Sequence, residues 1–212
     1  MAGVEEERKR PATLTDWLRQ IGAPITAGGA RLFAALGLTP DALTVLGALV
    51  ALVAGYLAAR GMFVWAAVAM LAGMPLDAFD GSLARLTGRV SRAGALLDST
   101  LDRYAEFFVL AGLAYYYAGV GRAVPVLLVI VTLFGSVMVS YVRARSEGLG
   151  IDNKVGVMTR VERLAVLFLA LLTGYVVVGL WALAILTHLT VAHRVGFALR
   201  KLRAEDRSGD AG

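Results

Sequence analysis

Asp77, Asp80, Asp98 and Asp102 fall inside stretches otherwise composed like membrane-spanning helix. A carboxylate in a bilayer costs roughly 2.5–3.5 kcal/mol on insertion scales. Four of them within 26 positions need a counter-charge, and one or two divalent cations would supply it. Asp77 and Asp80 are three residues apart and share a helix face, with Gly81 and Ala84 on the same stripe. Gly94, Asp98 and Asp102 follow at spacings of four on the next helical segment. The chain has no cysteine, and His188 and His193 are remote in sequence. An oxygen-only donor set selects a hard cation, Mg²⁺ or Mn²⁺, over zinc or copper. Magnesium keeps positions open for phosphate oxygens, which suits a diphosphate substrate. Gly81 and Gly94 would let a bulky nucleotide approach the backbone closely, and Arg85, one turn past Gly81, is spaced to pair with a phosphate. Two other readings stay open. The acids could be helix-end ion pairs with Arg85, Arg89, Arg92 and Arg103, or a proton or cation pathway in a transporter, which would spread acids over several depths.

The elements that must position these residues are apolar helices. Hydrophobic residues make up 58% of the 212-residue chain and charged residues 17%, with a mean hydropathy of +0.70. Soluble domains carry about 25% charge, so the expectation is an all-α integral membrane protein. Six transmembrane helices are expected at about 41–59, 62–85, 92–118, 123–146, 160–179 and 181–203. Residues 13–36 alternate apolar residues in helical spacing with Arg19 and Arg31; they predict an N-terminal interfacial amphipathic helix anchored by Trp17. The chain is treated as one membrane domain over 1–212, with 13–36 juxtamembrane and 41–203 catalytic. Its first residues are mixed in charge and lack an apolar core, unlike a cleaved signal peptide.

Positive charge sets orientation. The connections near Arg60–Gly61, Gly119–Arg122 and Val178–Leu180 are short and hold few charges. The other side carries Arg85, Arg89, Arg92, Arg143, Arg145, Lys154, Arg160 and Arg163. The positive-inside rule places that side, both termini and the acids at the cytoplasmic face of a cell inner or plasma membrane. Tyr115, Tyr116 and Tyr117 then fall at the far interface as an aromatic belt. The net charge of +5 implies attraction to lipid headgroups or a phosphorylated substrate. Nucleic acid is excluded as a partner, because no basic, aromatic-interleaved soluble module is present.

The segment from Asp77 to Asp102 reads D-x-x-D-G-x-x-A-R, eight residues, then G-x-x-x-D-x-x-x-D. It resembles the signature of the CDP-alcohol phosphotransferase family at every defining position, and TPDALTVLG upstream with six apolar spans extends the likeness over most of the chain. The resemblance implies an enzyme that moves a phosphatidyl-type group from a CDP-linked lipid to an alcohol and releases CMP. It implies two Mg²⁺ ions, with Mn²⁺ an alternative, held by Asp77, Asp80, Asp98 and Asp102; Asp77 and Asp98 would bridge both, and Asp102 would also accept the proton. Asp41, Ala42, Leu43, Thr44, Gly81, Arg85, Ser91 and Gly94 would bind the CDP-lipid. For the stretch Asp41, Ala42, Leu43 and Thr44 an alternative stands beside it: Pro40 opening a helix capped by Thr39 or Asp41. A homodimer is implied by the resemblance alone.

Acceptor choice is expected in the basic stretch between the fourth and fifth spans, where Arg143, Arg160 and Arg163 would surround the acceptor's phosphate. This is similar to the phosphatidylinositol-phosphate synthase branch and implies a phosphorylated polyol, inositol 1-phosphate; plain cytoplasmic positive charge is the other reading of these arginines. Val161 stands where that branch often has proline, so glycerol 3-phosphate remains the alternative acceptor. A magnesium-dependent prenyltransferase also uses Asp-rich helices but would lack the glycine spacing. Glu106 continues the Asp98–Asp102 stripe one turn deeper and is expected to form a structural pair. His193 with Arg194 begins a basic terminal turn that is expected to reach toward headgroups.

Overall fold

The computed structural model describes residue 26 and residues 28–209. All regular structure among them is helical: a short helix at residues 28–35, then α1 (Pro40–Ala59), α2 (Phe63–Leu86), α3 (Arg92–Gly119), α4 (Ala123–Glu147), α5 (Arg160–Thr173) and α6 (Val176–Gly209). Four of these, α1, α2, α4 and α6, are long and apolar enough to cross a membrane. The 28 residues of α3 are long enough, but their first half carries the acids. The 14 residues of α5 rise about 21 Å at 1.5 Å each.

Local chemistry explains the boundaries. Thr39 is the N-cap of α1, its hydroxyl accepting from Ala42 N, and Pro40 occupies the first turn. Ser91 caps α3 by accepting from Gly94 N at 2.9 Å. The far-end turns use Gly61 and Gly121 at φ 73° and 70°, a backbone region open to glycine. The break between the last two helices differs from expectation. It falls at Gly174, in a left-handed conformation, so residues 178–180 lie inside α6 rather than in a link. A glycine C-cap outweighed the apolar continuity of the run.

The bundle is organised around α1, which packs extensively on both α2 and α3. Gly55 and Gly112 permit this: a Cβ on Gly112 would collide with the Gly55 carbonyl, so the two backbones touch where α1 crosses α3. The second half pairs α4 with α6, α3 bridges to α4, and α5 packs on α2 and α6. The main core runs through Leu110, Leu113, Leu171, Leu180 and Leu183. Outside it, large apolar side chains such as Leu49, Val53, Trp65, Leu127, Phe134 and Ile185 are exposed, the surface of a membrane protein.

Of the expected amphipathic segment 13–36, residues 13–25 and 27 lie outside the described residues. The part at 28–35 is helical, and Ala30 and Phe33 dock it against Leu43, Leu83 and Phe79 of α1 and α2. At the far end Tyr115 is exposed, whereas Tyr117 is buried and stacks with Phe63, so the tyrosine run is partly core.

Candidate active site

Consecutive helices are antiparallel. The C-terminal turns of α2 and α4 therefore meet the N-terminal turns of α1, α3 and α5 at one end of the bundle. All four aspartates converge there. Asp80 is 6% exposed, and Thr44 of α1 donates to its Oδ2 at 2.7 Å. Asp98 is near enough to Asp77 and Asp80 for the carboxylates to repel one another. Asp77 Oδ2 and Asp102 Oδ1 both contact one terminal nitrogen of Arg160, at 2.5 and 2.6 Å. The first turn of α5 thus delivers a guanidinium between α2 and α3.

Two spaces open on this cluster. A cleft of about 310 Å³ is lined by Pro40, Asp41 and Thr44 of α1, Asp80, Gly81, Ala84 and Arg85 of α2, and Ser91, Gly94 and Asp98 on the α3 side. A smaller, largely apolar cavity of about 50 Å³ lies beneath Asp77, Asp102 and Arg160, between α1, α2, α3 and α5. Thr44 borders both. Six of the residues expected to bind a CDP-lipid, Asp41, Thr44, Gly81, Arg85, Ser91 and Gly94, line the larger cleft.

The donor set is consistent with a hard cation. The side chains of the cluster able to bind a cation offer only carboxylate or hydroxyl oxygen, Arg160 being a counter-charge and not a donor to metal; His188 bonds Ala184 O elsewhere on α6. Among the described residues no three acids or histidines are closed into a ready cation cage. The reason is visible in the pairing: Asp77 and Asp102 point at Arg160, and Asp80 at Thr44.

Some expected residues stand elsewhere. Leu43 is fully buried, packed with Ala30 and Leu83, because one residue's turn of about 100° carries it away from the face on which Thr44 meets the cleft. Ala42 is exposed and does not line the cleft; its N–H serves the helix cap. Arg143 is on the surface, paired with Glu147 at 2.9 Å. Arg163 is 3% exposed and bonded to Glu106 through two nitrogens, which bears out the structural pairing expected of Glu106 and leaves Arg163 facing away from the cleft. Arg194 does not reach for headgroups. It is buried, donating to Val155 O at 2.8 Å and Val139 O at 2.6 Å, and so ties the 148–159 loop to α4 and α6. Asn153, fully buried, adds bonds to Ser146 Oγ and Arg194 O. Arg89, read at the sequence level as a helix-end charge, lines the large cleft; its place beside the Gly88 turn was the available signal.

The family model for CDP-alcohol phosphatidyltransferases matches residues 37–195. The chain belongs to the CDP-alcohol phosphatidyltransferase family. It is 39% identical over 170 residues to an archaetidylinositol phosphate synthase of Pyrococcus horikoshii, covering 80% of this chain and 88% of the relative. It is 34% identical over 186 residues to a phosphatidylinositol phosphate synthase of Mycobacteroides abscessus, covering 84% of each. The crystal structure of the Mycobacterium tuberculosis phosphatidylinositol phosphate synthase with CDP-DAG bound is similar with a TM-score of 0.77 at 29% identity, covering 82% of this chain and 94% of that one. The same enzyme with manganese and citrate gives a TM-score of 0.77 at 29% identity, over 82% and 88%. As a CDP-alcohol phosphatidyltransferase, this chain is a membrane-bound transferase of phospholipid synthesis, and its acidic signature residues are the ones gathered between the two spaces.

Proposed function

We propose that this transferase moves a phosphatidyl-type group from a CDP-diacylglycerol-type lipid to the hydroxyl of inositol 1-phosphate and releases CMP. The observation that carries the reading is the convergence of Asp77, Asp98 and Asp102 beside Arg160, at the edge of a cleft rimmed by Gly81 and Gly94. Relatives named as synthases of inositol-phosphate lipids favour that acceptor. All six helices α1 to α6 would span the bilayer, with 28–35 at the interface and both termini and the acids at the cytoplasmic side, where CDP and the acceptor arrive from water while lipid tails stay among the helices. A homodimer is part of the same reading.

Asp77, Asp80, Asp98 and Asp102 would hold divalent cations, Mg²⁺ with Mn²⁺ as the substitute, which neutralise the diphosphate and the charge developing on CMP. The remaining roles belong to side chains. Gly81 and Gly94 leave the cleft wall low enough for a nucleotide, while Asp41, Thr44, Arg85 and Ser91 offer it polar contacts. Arg160 binds the acceptor's phosphate, a charge-assisted contact suited to a guanidinium. Asp102 accepts the proton of the attacking hydroxyl. The new bond joins that oxygen to the lipid-linked phosphorus, and the bond from the same phosphorus to the bridging oxygen of CMP breaks.

The test is CMP release by purified protein with CDP-diacylglycerol and a panel of inositol 1-phosphate, free inositol, glycerol 3-phosphate and serine. Turnover confined to inositol 1-phosphate supports the proposal. Turnover confined to glycerol 3-phosphate moves the enzyme to phosphatidylglycerol-phosphate synthesis.

A further inference from the structure

Glu106 is a buried carboxylate for which the proposed chemistry has no use. It lies one turn deeper than Asp102 on α3 and is 8% exposed. Arg163 Nε donates to its Oε1 at 2.9 Å and a terminal nitrogen to Oε2 at 3.0 Å. Ser136 Oγ, from α4, donates to Oε1 at 2.8 Å. The second terminal nitrogen of Arg163 donates to Met158 O at 3.3 Å. Three helices and the end of the 148–159 loop therefore meet on one carboxylate.

Its placement relates it to the site. Asp102 and Glu106 are four apart on α3, and Arg160 and Arg163 are three apart on α5. The pairs Arg160–Asp102, at 2.6 Å, and Arg163–Glu106, at 2.9 Å, stack as two rungs between the helices. The upper rung is reached by solvent and the lower is sealed. Beyond the Arg160–Asp102 rung itself, few close backbone approaches join α5 to α3. Thr159 spends its hydroxyl on Glu162 within the same turn, the packing of α5 is chiefly on α2 and α6, and Leu164 and Leu167 line the same small cavity as Leu101 and Ala105 of α3. Apolar contacts across a cavity tolerate sliding, whereas a bidentate guanidinium–carboxylate pair has one geometry. A buried ion pair is also a poor source of net stability, so its use here is orientation.

We propose that Glu106, acting through Arg163, is a positioning residue that sets the rotation and depth of the first turn of α5, and so holds Arg160 beside Asp77 and Asp102 where the acceptor's phosphate binds. The functional half of this statement rests on the role given to Arg160 above.

The experiment compares the parent with Glu106→Leu/Arg163→Met, which removes both charges together and strands neither. The chain has no native cysteine, so cysteines placed at exposed Thr100 on α3 and Val161 on α5 carry one spin-label pair per chain, measured in nanodiscs after dilution with unlabelled protein. The expected result is a broadened α3–α5 distance distribution, acceptor KM raised about tenfold, and donor KM within about twofold. In an Arg160→Ala background the double replacement should change acceptor KM by less than about twofold, because both act on one contact. Ser136→Ala, a milder change to the same carboxylate, should move acceptor KM in the same direction by about two- to fivefold, and decides the matter should the double variant fail to fold. A merely structural pair would lower Tm while leaving acceptor KM unchanged; that result, or full additivity with Arg160→Ala, overturns the proposal. If Arg160→Ala alone leaves acceptor KM unchanged, the role of Arg160 in the proposed function falls. The positioning proposal is then decided by the distance distribution, which overturns it if unaltered.

Discussion

On the α1–α2–α3 side, Asp80 and Asp98 open onto a cleft of about 310 Å³ rimmed by small residues. On the α5 side, Asp77 and Asp102 are drawn onto one arginine above a cavity of about 50 Å³. The first wall is shaped by what is missing, since Gly81 and Gly94 bring no side chain into the space. The second is shaped by charge: a guanidinium balances two carboxylates, and a buried pair beneath it holds the helix that carries it. A bulky nucleotide needs room and backbone approach, and a compact phosphorylated alcohol needs a fixed cation. The two walls match those separate demands, and Thr44, bordering both spaces, is the point where they meet.

That contrast can be broken or sharpened by three substitutions. Asp98→Asn removes a carboxylate central to the cluster and should lower kcat by about 10³-fold with either acceptor or donor saturating; turnover within tenfold of the parent would remove the acids from the chemistry. Arg160→Ala should raise acceptor KM about 10- to 100-fold, the worth of a hydrogen bond to a charged group, with donor KM little changed; equal loss of both would erase the distinction between the walls. Gly81→Ala is the mirror test. A Cβ there meets only Arg85, at 3.6 Å, so the fold has no reason to respond. Donor KM should rise roughly 5- to 20-fold with acceptor KM unchanged and Tm within about 2 °C. A rise in acceptor KM instead would put the acceptor in the larger cleft.

Much of this arrangement was legible before any coordinates. The spacings of three and four in Asp77–Asp80 and Gly94–Asp98–Asp102 are helical by arithmetic, and the reversal between two short-linked helices brings them to one level. Thr39 with Pro40 announced the start of α1 through capping chemistry that is wholly local; Ser91, expected only at the CDP-lipid, also caps α3. The break at Gly174 was missed because an apolar run does not reveal where a left-handed glycine interrupts it.

What the chain's sequence determined by itself is therefore the set of short-range facts: apolar helices, their caps, and four acids on adjoining faces. The tertiary structure alone decided which basic residues face the site. Arg160 and Arg163 sit on the same turn, yet one meets Asp77 and Asp102 and the other is committed to Glu106, 57 residues away. Arg194 bonds carbonyls 39 and 55 residues distant, and Leu43 turns from the cleft into a small core. A long side chain takes whichever partner satisfies its charge and donors out of water, and that partner is set by how the helices rotate against one another, which no local pattern records.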